Sequence, residues 1–151
     1  HLNQVTELAR AFPETTIILN HFGGPIGIGS FANKRDEVFT QWQKDIRKLS
    51  KCKNVFAKLG GLQMDVNGFL WHKQKKPPSS IKLMEATRNW YDHAIVSFGT
   101  KRCMFESNFP VDKFSCSYGV LWNSFKRIAE QYSASEKTAL FYDNAARVYS
   151  L

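Results

Sequence analysis

Residues 16–25 have the sequence TIILNHFGGP, and this stretch decides the fold. A short, continuously apolar and partly β-branched run that follows Pro13 and ends at glycine is typical of a strand covered on both faces, as in a parallel sheet. The run ends at His21, and Gly23 and Gly24 follow. Glycine lets backbone approach a ligand closely and leaves N–H groups free to bind oxyanions. The stretch therefore predicts a buried strand with functional residues at its end, where His21 is either a ligand or an imidazole bonded to a neighbouring carbonyl.

The same alternation of strand and helix continues along the chain. Further strands are predicted at residues 54–61, NVFAKLGG, and at residues 102–107, RCMFES. Apolar residues at helical spacing predict helices over residues 3–12, 35–52, 81–99, 120–132 and 133–151. Ser80 and Gly99 are the expected cap and stop of the third helix, and Ser133 with Glu136 has the spacing of a capping box. This order predicts an α/β fold with a parallel sheet and right-handed crossovers.

Polar side chains fall where the predicted strands end. His21, Lys58 and the segment from Glu106 to Asp112 should meet on one rim, because adjacent parallel strands bring their carboxyl ends together. The long connection at residues 62–80 is expected to be a binding loop or a lid, with Trp71 and His72 as part of it.

Composition and charge limit the functional classes. The chain has 151 residues, of which 43% are hydrophobic and 14% aromatic, so one globular domain is expected. The net charge of +8 is compatible with nucleic acid, acidic lipid or an anionic substrate. The only dense basic run, at residues 71–80, lies in a Pro/Ser-rich loop, and the aromatic residues follow core periodicities, so we predict no nucleic-acid partner. No apolar run approaches the ~18 residues of a membrane span.

The three cysteines share no C-x-x-C spacing, which indicates neither a disulfide framework nor a thiolate zinc site. Cysteine usage of this kind favours a reducing compartment, and we expect a cytoplasmic protein.

Four stretches together carry a family resemblance: residues 8–25, LARAFPETTIILNHFGGP; residues 54–62, NVFAKLGGL; residues 102–113, RCMFESNFPVDK; and residues 139–149, ALFYDNAARVY. In this order they resemble the C-terminal half of the amidohydrolase-related group of the amidohydrolase superfamily. These are TIM-barrel metal-dependent hydrolases, among them sugar-acid and aromatic lactonases, with decarboxylases as relatives. The resemblance implies a partial (β/α)₈ barrel in which the three strands correspond to strands six, seven and eight. Residues 1–151 would be the C-terminal portion of a longer chain.

The resemblance also implies residue roles. His21 matches the strand-six histidine, which binds a divalent metal or polarises the substrate. Asn108 stands where the family most often has an aspartate that acts as general base, and an amide cannot accept a proton near neutral pH. Glu106 or Asp112 could supply the missing base; Glu106 is favoured because residues two apart on a strand face the same way. Lys58 is a candidate for the substrate's carboxylate, although strand-end lysines also pair with buried acids. Gly23 and Gly24 are assigned to substrate binding.

The implied activity is hydrolysis of a small, anionic ester or lactone by activated water, with zinc or manganese as cofactor and His21 as its ligand. The family's strand-one H-x-H pair has no counterpart in this sequence, and a complete barrel needs roughly 250 residues. The alternatives are a decarboxylase on the same scaffold, a half-barrel that pairs with another, and a non-catalytic protein. Open barrel edges lead us to expect association into a homo-oligomer.

Overall fold

The structure, a computed structural model, describes all 151 residues. Three parallel strands, β1 (Ile17–Leu19), β2 (Val55–Leu59) and β3 (Cys103–Phe105), form one sheet in the order β1-β2-β3. Ile18 lies opposite Phe56, and Lys58 lies opposite Met104. The predicted α/β fold is confirmed. All three strands are shorter than predicted, because the polar and glycine residues at their ends leave the regular ladder.

Helices connect and follow the strands. α1 (Leu2–Ala11) precedes β1, α2 (Arg35–Leu49) joins β1 to β2, and α3 (Ser80–Phe98) joins β2 to β3. After β3 come α4 (Tyr118–Ile128), α5 (Ala134–Thr138), a π-helical segment (Ala139–Asp143) and α6 (Asn144–Tyr149). The π-helical segment divides what the sequence predicted as one helix. Each strand is thus followed by a helix on the way to the next, as in a (β/α) barrel.

The helix ends test the capping residues that the sequence predicted. The capping box is present, since the Ser133 hydroxyl accepts the Glu136 N–H while Glu136 Oε2 accepts the Ser133 N–H at 2.9 Å. Gly99 ends α3, with φ at +81°. The assignment of Ser80 as N-cap is wrong by one residue. The Ser79 hydroxyl accepts the Lys82 N–H at 3.2 Å, and Ser80 is the first helical residue.

One face of the sheet packs against the helices. The alternating β2 residues Val55, Ala57 and Leu59 are buried in the core, whereas Phe56 and Lys58 lie on the other face and are only half-buried. The core is a single cluster of 27 buried residues. Lys58 is therefore directed away from the helices, toward the side of the sheet that is the interior in a closed barrel.

The long connection after β2 is an ordered part of the domain. Trp71 is only 5% exposed and stacks on Phe69 with ring centroids 5.7 Å apart. Asn67 Nδ2 donates to the Gly61 carbonyl at 2.6 Å. The expectation that Trp71 belongs to a lid is wrong, because its indole anchors the connection to the core. His72 lies beside Trp71, half-exposed, with Nε2 3.5 Å from Asp65 Oδ1.

The outer edges of β1 and β3 have no strand beside them within this chain. Association through these edges stays a prediction. None of the helices is long and apolar enough to cross a membrane.

Candidate active site

Glu106 joins the three strand ends into one charged cluster. Its Oε1 lies 2.7 Å from His21 Nδ1, and its Oε2 lies 2.6 Å from Lys58 Nζ. The side chains are 26%, 22% and 12% exposed for His21, Lys58 and Glu106 respectively. The structure thus brings together three of the residues selected from the sequence. Lys58 takes the pairing role that the sequence left as its alternative, and its remaining N–H donors are not committed to any other protein group.

The backbone that carries His21 is left-handed over four residues. The φ angles are +48° at His21, +56° at Phe22, +73° at Gly23 and +65° at Gly24. Phe22 holds this turn in place, because its side chain is buried and its carbonyl accepts the Trp42 Nε1 proton at 2.7 Å. Non-glycine residues rarely adopt positive φ, and where they do, the surrounding structure must impose it.

The glycines after His21 have two different structural reasons. A β-carbon on Gly23 would lie 2.5 Å from Leu2 Cδ2, so Gly23 permits close packing of α1. A β-carbon on Gly24 would meet nothing within 4 Å, so only its positive φ favours glycine there. The N–H groups of Gly23 and Gly24 donate to the carbonyls of Asn20 and His21 at 2.8 Å, so the expectation that they are free to bind an oxyanion is wrong. Any other part of the two glycines in substrate binding stays a prediction.

A second glycine pair makes room for the charged cluster. A β-carbon on Gly61 would lie 2.7 Å from His21 Nδ1, and one on Gly60 would overlap Glu106. In the sequence this pair stands only as the end of the second predicted strand, at residues 54–61. The signal for the role of this pair was its position directly after β2. That strand lies between β1, which leads to His21, and β3, which leads to Glu106.

The His21 ring presents its two nitrogens to different surroundings. Nδ1 is buried against Glu106 Oε1, and the pair is close without being aligned as a linear hydrogen bond. Nε2 makes no hydrogen bond within the protein and is not buried. An ionised carboxylate beside Nδ1 favours a proton on that nitrogen, which leaves a lone pair on Nε2. The site therefore offers one accessible base or ligand atom.

The alternation of side chains along a strand does not set the directions of Glu106 and Asn108. β3 ends at Phe105, and Asn108 has φ at +52°, so the alternation of a strand no longer applies. Asn108 Nδ2 donates to Asp112 Oδ1 at 2.9 Å instead of joining Glu106. The parity argument for Glu106 is wrong for this reason, although Glu106 does reach the rim through its contacts with His21 and Lys58.

Asp112 is fully buried behind Asn108. Burial raises the pKa of its carboxyl group to about 7; the hydrogen bond from Asn108 lowers the pKa, and the charge of Glu106 raises it further. A carboxyl group with no exposed surface does not meet a substrate directly in this conformation. Its contact with Asn108 is its link to the rim.

The residues of this chain do not complete a metal site. No group of three or more His, Cys, Asp or Glu side chains is placed to hold an ion. Catalytic zinc takes three protein ligands and an open position. His21 Nε2 is the single accessible candidate, because Glu106 is engaged by Lys58 and by the other nitrogen of His21.

Consecutive parallel β/α units with an imidazole, a carboxylate and an ammonium at the carboxyl ends of the strands are the arrangement of part of a (β/α) barrel. The chain belongs to the amidohydrolase family, whose sequence model matches residues 1–151.

Individual relatives agree with this family membership. The chain is 39% identical over 148 residues to the uncharacterized protein y4mH of Sinorhizobium fredii, which covers 98% of this chain and 43% of that protein. It is 31% identical over 136 residues to the L-fucono-1,5-lactonase of Burkholderia multivorans, covering 89% of this chain and 43% of that protein. A crystal structure of an amidohydrolase from Burkholderia multivorans with bound zinc superposes with a TM-score of 0.82 at 28% identity, covering 99% of this chain and 49% of that one. The chain thus spans about half the length of these relatives.

Proposed function

We propose that the rim site hydrolyses a small ester or lactone, with the His21 imidazole acting on the attacking water. The observation that carries the proposal is the 2.7 Å contact between His21 Nδ1 and Glu106 Oε1, which leaves Nε2 as the accessible proton acceptor. Membership of the amidohydrolase family and the similarity to a lactonase support the reaction class and the lactone.

The proposed chemistry needs only water and the ester. His21 Nε2 accepts a proton from water as the water oxygen forms a bond to the carbonyl carbon. The tetrahedral intermediate then collapses, the bond from carbon to the ring oxygen breaks, and the imidazolium returns the proton to the leaving oxygen. The product is a hydroxy acid. Glu106 stabilises the imidazolium that forms on His21, and Lys58 balances the charge of Glu106.

The neighbouring groups have supporting roles in this proposal. Asn108 Oδ1 makes no hydrogen bond within the protein and accepts one from the water or from a substrate hydroxyl. It is not basic, so the proton goes to His21. The N–H groups of Gly23 and Gly24 donate to the carbonyls of Asn20 and His21 and take no part in this step. The free donors of Lys58 bind an anionic substituent.

A metal role for His21 is the second candidate, favoured by the accessible Nε2 atom and by the zinc in the similar crystal structure. A zinc or manganese ion would need further ligands that the residues of this chain do not form. The two roles of Nε2 exclude one another at a given moment, because one lone pair cannot both bind a metal and accept a proton. The steps above therefore use the side chains of this chain alone.

The test measures hydrolysis of three compounds: L-fucono-1,5-lactone, an anionic lactone and a neutral aryl ester. The rate is measured as acid release at constant pH. We expect the chain to exceed the buffer rate and His21→Ala to fall to it. His72→Ala is the matched control, since His72 is a similarly exposed histidine beside a carboxylate, 28% against 26% exposed. A wild-type rate equal to buffer, or full activity in His21→Ala, would contradict the proposal. Release of carbon dioxide in place of acid would replace hydrolysis by decarboxylation.

Chelation separates the two roles of His21. Activity that survives EDTA supports His21 as the base. Activity that EDTA abolishes, and that zinc or manganese restores in the wild type but not in His21→Ala, supports His21 as the ligand.

A further inference from the structure

A buried polar cluster lies behind the rim site and is formed by Asp112, Gln63 and Tyr91. All three side chains are buried. Asp112 Oδ2 has no hydrogen-bond partner in the protein. The Gln63 side chain lies beside the Tyr91 hydroxyl, but the polar atoms of the two groups make no aligned hydrogen bond. Buried polar atoms without partners cost free energy, and native proteins keep few of them. Their concentration at one end of the sheet calls for a reason other than stability.

Asp112 reaches the rim through Asn108. The Asn108 Nδ2 group donates to Asp112 Oδ1 at 2.9 Å, and the Asp112 N–H donates back to the Asn108 carbonyl at 3.1 Å. These two contacts join the side chain and the backbone of residues four apart. The left-handed backbone at Asn108 is compatible with this arrangement, because asparagine tolerates positive φ better than most residues.

The segment that carries Asp112 is itself fixed. The N–H groups of Ser115 and Cys116 donate to the Asp112 carbonyl at 3.0 Å and 3.2 Å. The Ser115 hydroxyl donates to the Gln63 carbonyl at 2.6 Å, which ties this segment to the connection after β2. Asp112 is thus a rigid acceptor, and the Asn108 amide group has little freedom to turn while Nδ2 is held.

We propose that Asp112 is a positioning residue that holds the Asn108 amide by Nδ2 so that Oδ1 is presented at the rim as a hydrogen-bond acceptor for water or a substrate hydroxyl. The use of that acceptor in a reaction rests on the proposed function, whereas the orientation of the amide does not. An asparagine that stands in place of a carboxylate keeps one acceptor oxygen, and the orientation decides whether that oxygen or the N–H₂ group faces the site.

The protonation of Asp112 supplies an internal probe of this contact. The titratable groups that face it are Glu106 after β3, Tyr91 of α3 and the buried thiol of Cys116. The pKa of Asp112 is raised to about 7, chiefly by burial. A donor bonded to this carboxyl group should sense its change of charge near neutral pH.

The experiment is NMR of the Asn108 side-chain amide in the ¹⁵N-labelled chain, assigned by its absence in Asn108→Ser. In the wild type we expect its resonances to shift with pH around 7. Asp112→Asn keeps an acceptor oxygen of the same shape, so the pH-dependent shift should vanish while the amide remains distinct from the free amides. Asp112→Leu removes the acceptor at similar volume, so the Asn108 resonances should move to the position and exchange rate of a free amide.

Other outcomes of this experiment would contradict the positioning role of Asp112. Asn108 resonances that still titrate in Asp112→Asn, that move to the position of a free amide in Asp112→Asn, or that are unchanged in Asp112→Leu would overturn the proposal. If Asp112→Leu does not fold, Asp112→Asn decides by itself. A chain that shows the expected spectra but hydrolyses no ester would leave the positioning role standing and refute the proposed function.

Discussion

The two ends of the sheet differ in their hydrogen bonding and in their backbone conformation. At the amino ends of the strands, side-chain amides and a guanidinium donate to backbone carbonyls in a dense set of hydrogen bonds. At the carboxyl ends, the backbone is left-handed in several places and polar atoms are buried without partners. The contacts that join distant segments therefore lie at one end of the strands and the candidate site lies at the other, as expected for a barrel scaffold.

The amino end is held by three residues. Arg102 donates to the carbonyls of Ser50, Cys52, Val55 and Phe98 at 2.8–3.2 Å. Asn54 Nδ2 lies within 2.9–3.1 Å of the carbonyls of Ala9, Phe12 and Thr15. Asn144 Nδ2 lies 2.7 Å and 2.6 Å from the carbonyls of Thr100 and Cys103. Chain segments far apart in sequence are therefore joined here by polar contacts.

The carboxyl end carries the strain. The residues with positive φ next to the site are His21, Phe22, Gly23, Gly24, Gly61 and Asn108. His21 Nδ1 and Glu106 Oε1 are buried against one another without an aligned hydrogen bond. Such features persist where the surrounding structure imposes them, and they concentrate at functional sites. Substitutions at the two ends should accordingly have different consequences.

The largest effect is expected at the amino end, for Arg102→Ala. The variant leaves several carbonyls without their charged donor, and we expect the free energy of unfolding to fall by about 4 kcal/mol. Urea denaturation followed by circular dichroism measures this loss. Arg102→Lys keeps the charge but not the fork of donors, so it should recover only part of the stability. A loss below that of a surface substitution such as Lys101→Ala would show that this end is not the stabilising one.

The next effect is expected for Gly61→Ala at the carboxyl end. The new methyl group would press on the His21 ring at a residue with φ of +81°. Strain and overlap together should cost roughly 3 kcal/mol and displace the imidazole. Gly24→Ala is the matched control, since it has a positive φ but open space, and it should cost only about 1–2 kcal/mol.

Gly61→Ala and Gly24→Ala should differ more in activity than in stability. Lactone hydrolysis should fall in Gly61→Ala by far more than in Gly24→Ala. Equal losses of activity in the two variants would mean that the His21 position does not depend on the glycine pair.

A smaller effect is expected from the pH dependence of stability. Between pH about 4 and about 7, folded Asp112 keeps a proton that the unfolded chain has released, so rising pH should favour unfolding in this window. Between pH 5 and pH 6, the free energy of unfolding of the wild type should fall by about 1 kcal/mol relative to that of Asp112→Asn. Parallel stability curves for the two proteins across this range would contradict the buried, proton-holding carboxyl group.

The order of elements and the rim could be predicted because they follow from local patterns. A β-branched, continuously apolar run that ends at glycine predicted β1, and the Ser133–Glu136 spacing predicted the start of a helix. The grouping of His21, Lys58 and Glu106 followed from the parallel order of the strands. These inferences need only chain direction and period.

The remaining features depend on contacts that sequence does not encode locally. Nothing near Arg102 in the sequence identifies the three carbonyls that it binds in the segment of residues 50–55. The pairing of Asn108 with Asp112 required a left-handed turn in place of the expected strand. The role of Gly60 and Gly61 appears only when His21 and Glu106 are placed over them. Trp71 was misjudged because a loop position does not reveal burial.

We infer that Glu106 holds the Nδ1 side of His21 and leaves Nε2 free at the rim. The most direct measurement is the tautomer of His21, read from long-range ¹H–¹⁵N correlations of the ring in the wild type and in Glu106→Gln. We expect that the neutral ring in the wild type carries its proton on Nδ1, and that Glu106→Gln changes this preference. A neutral His21 with its proton on Nε2 in the wild type would contradict the claim, since no accessible lone pair would then face the site.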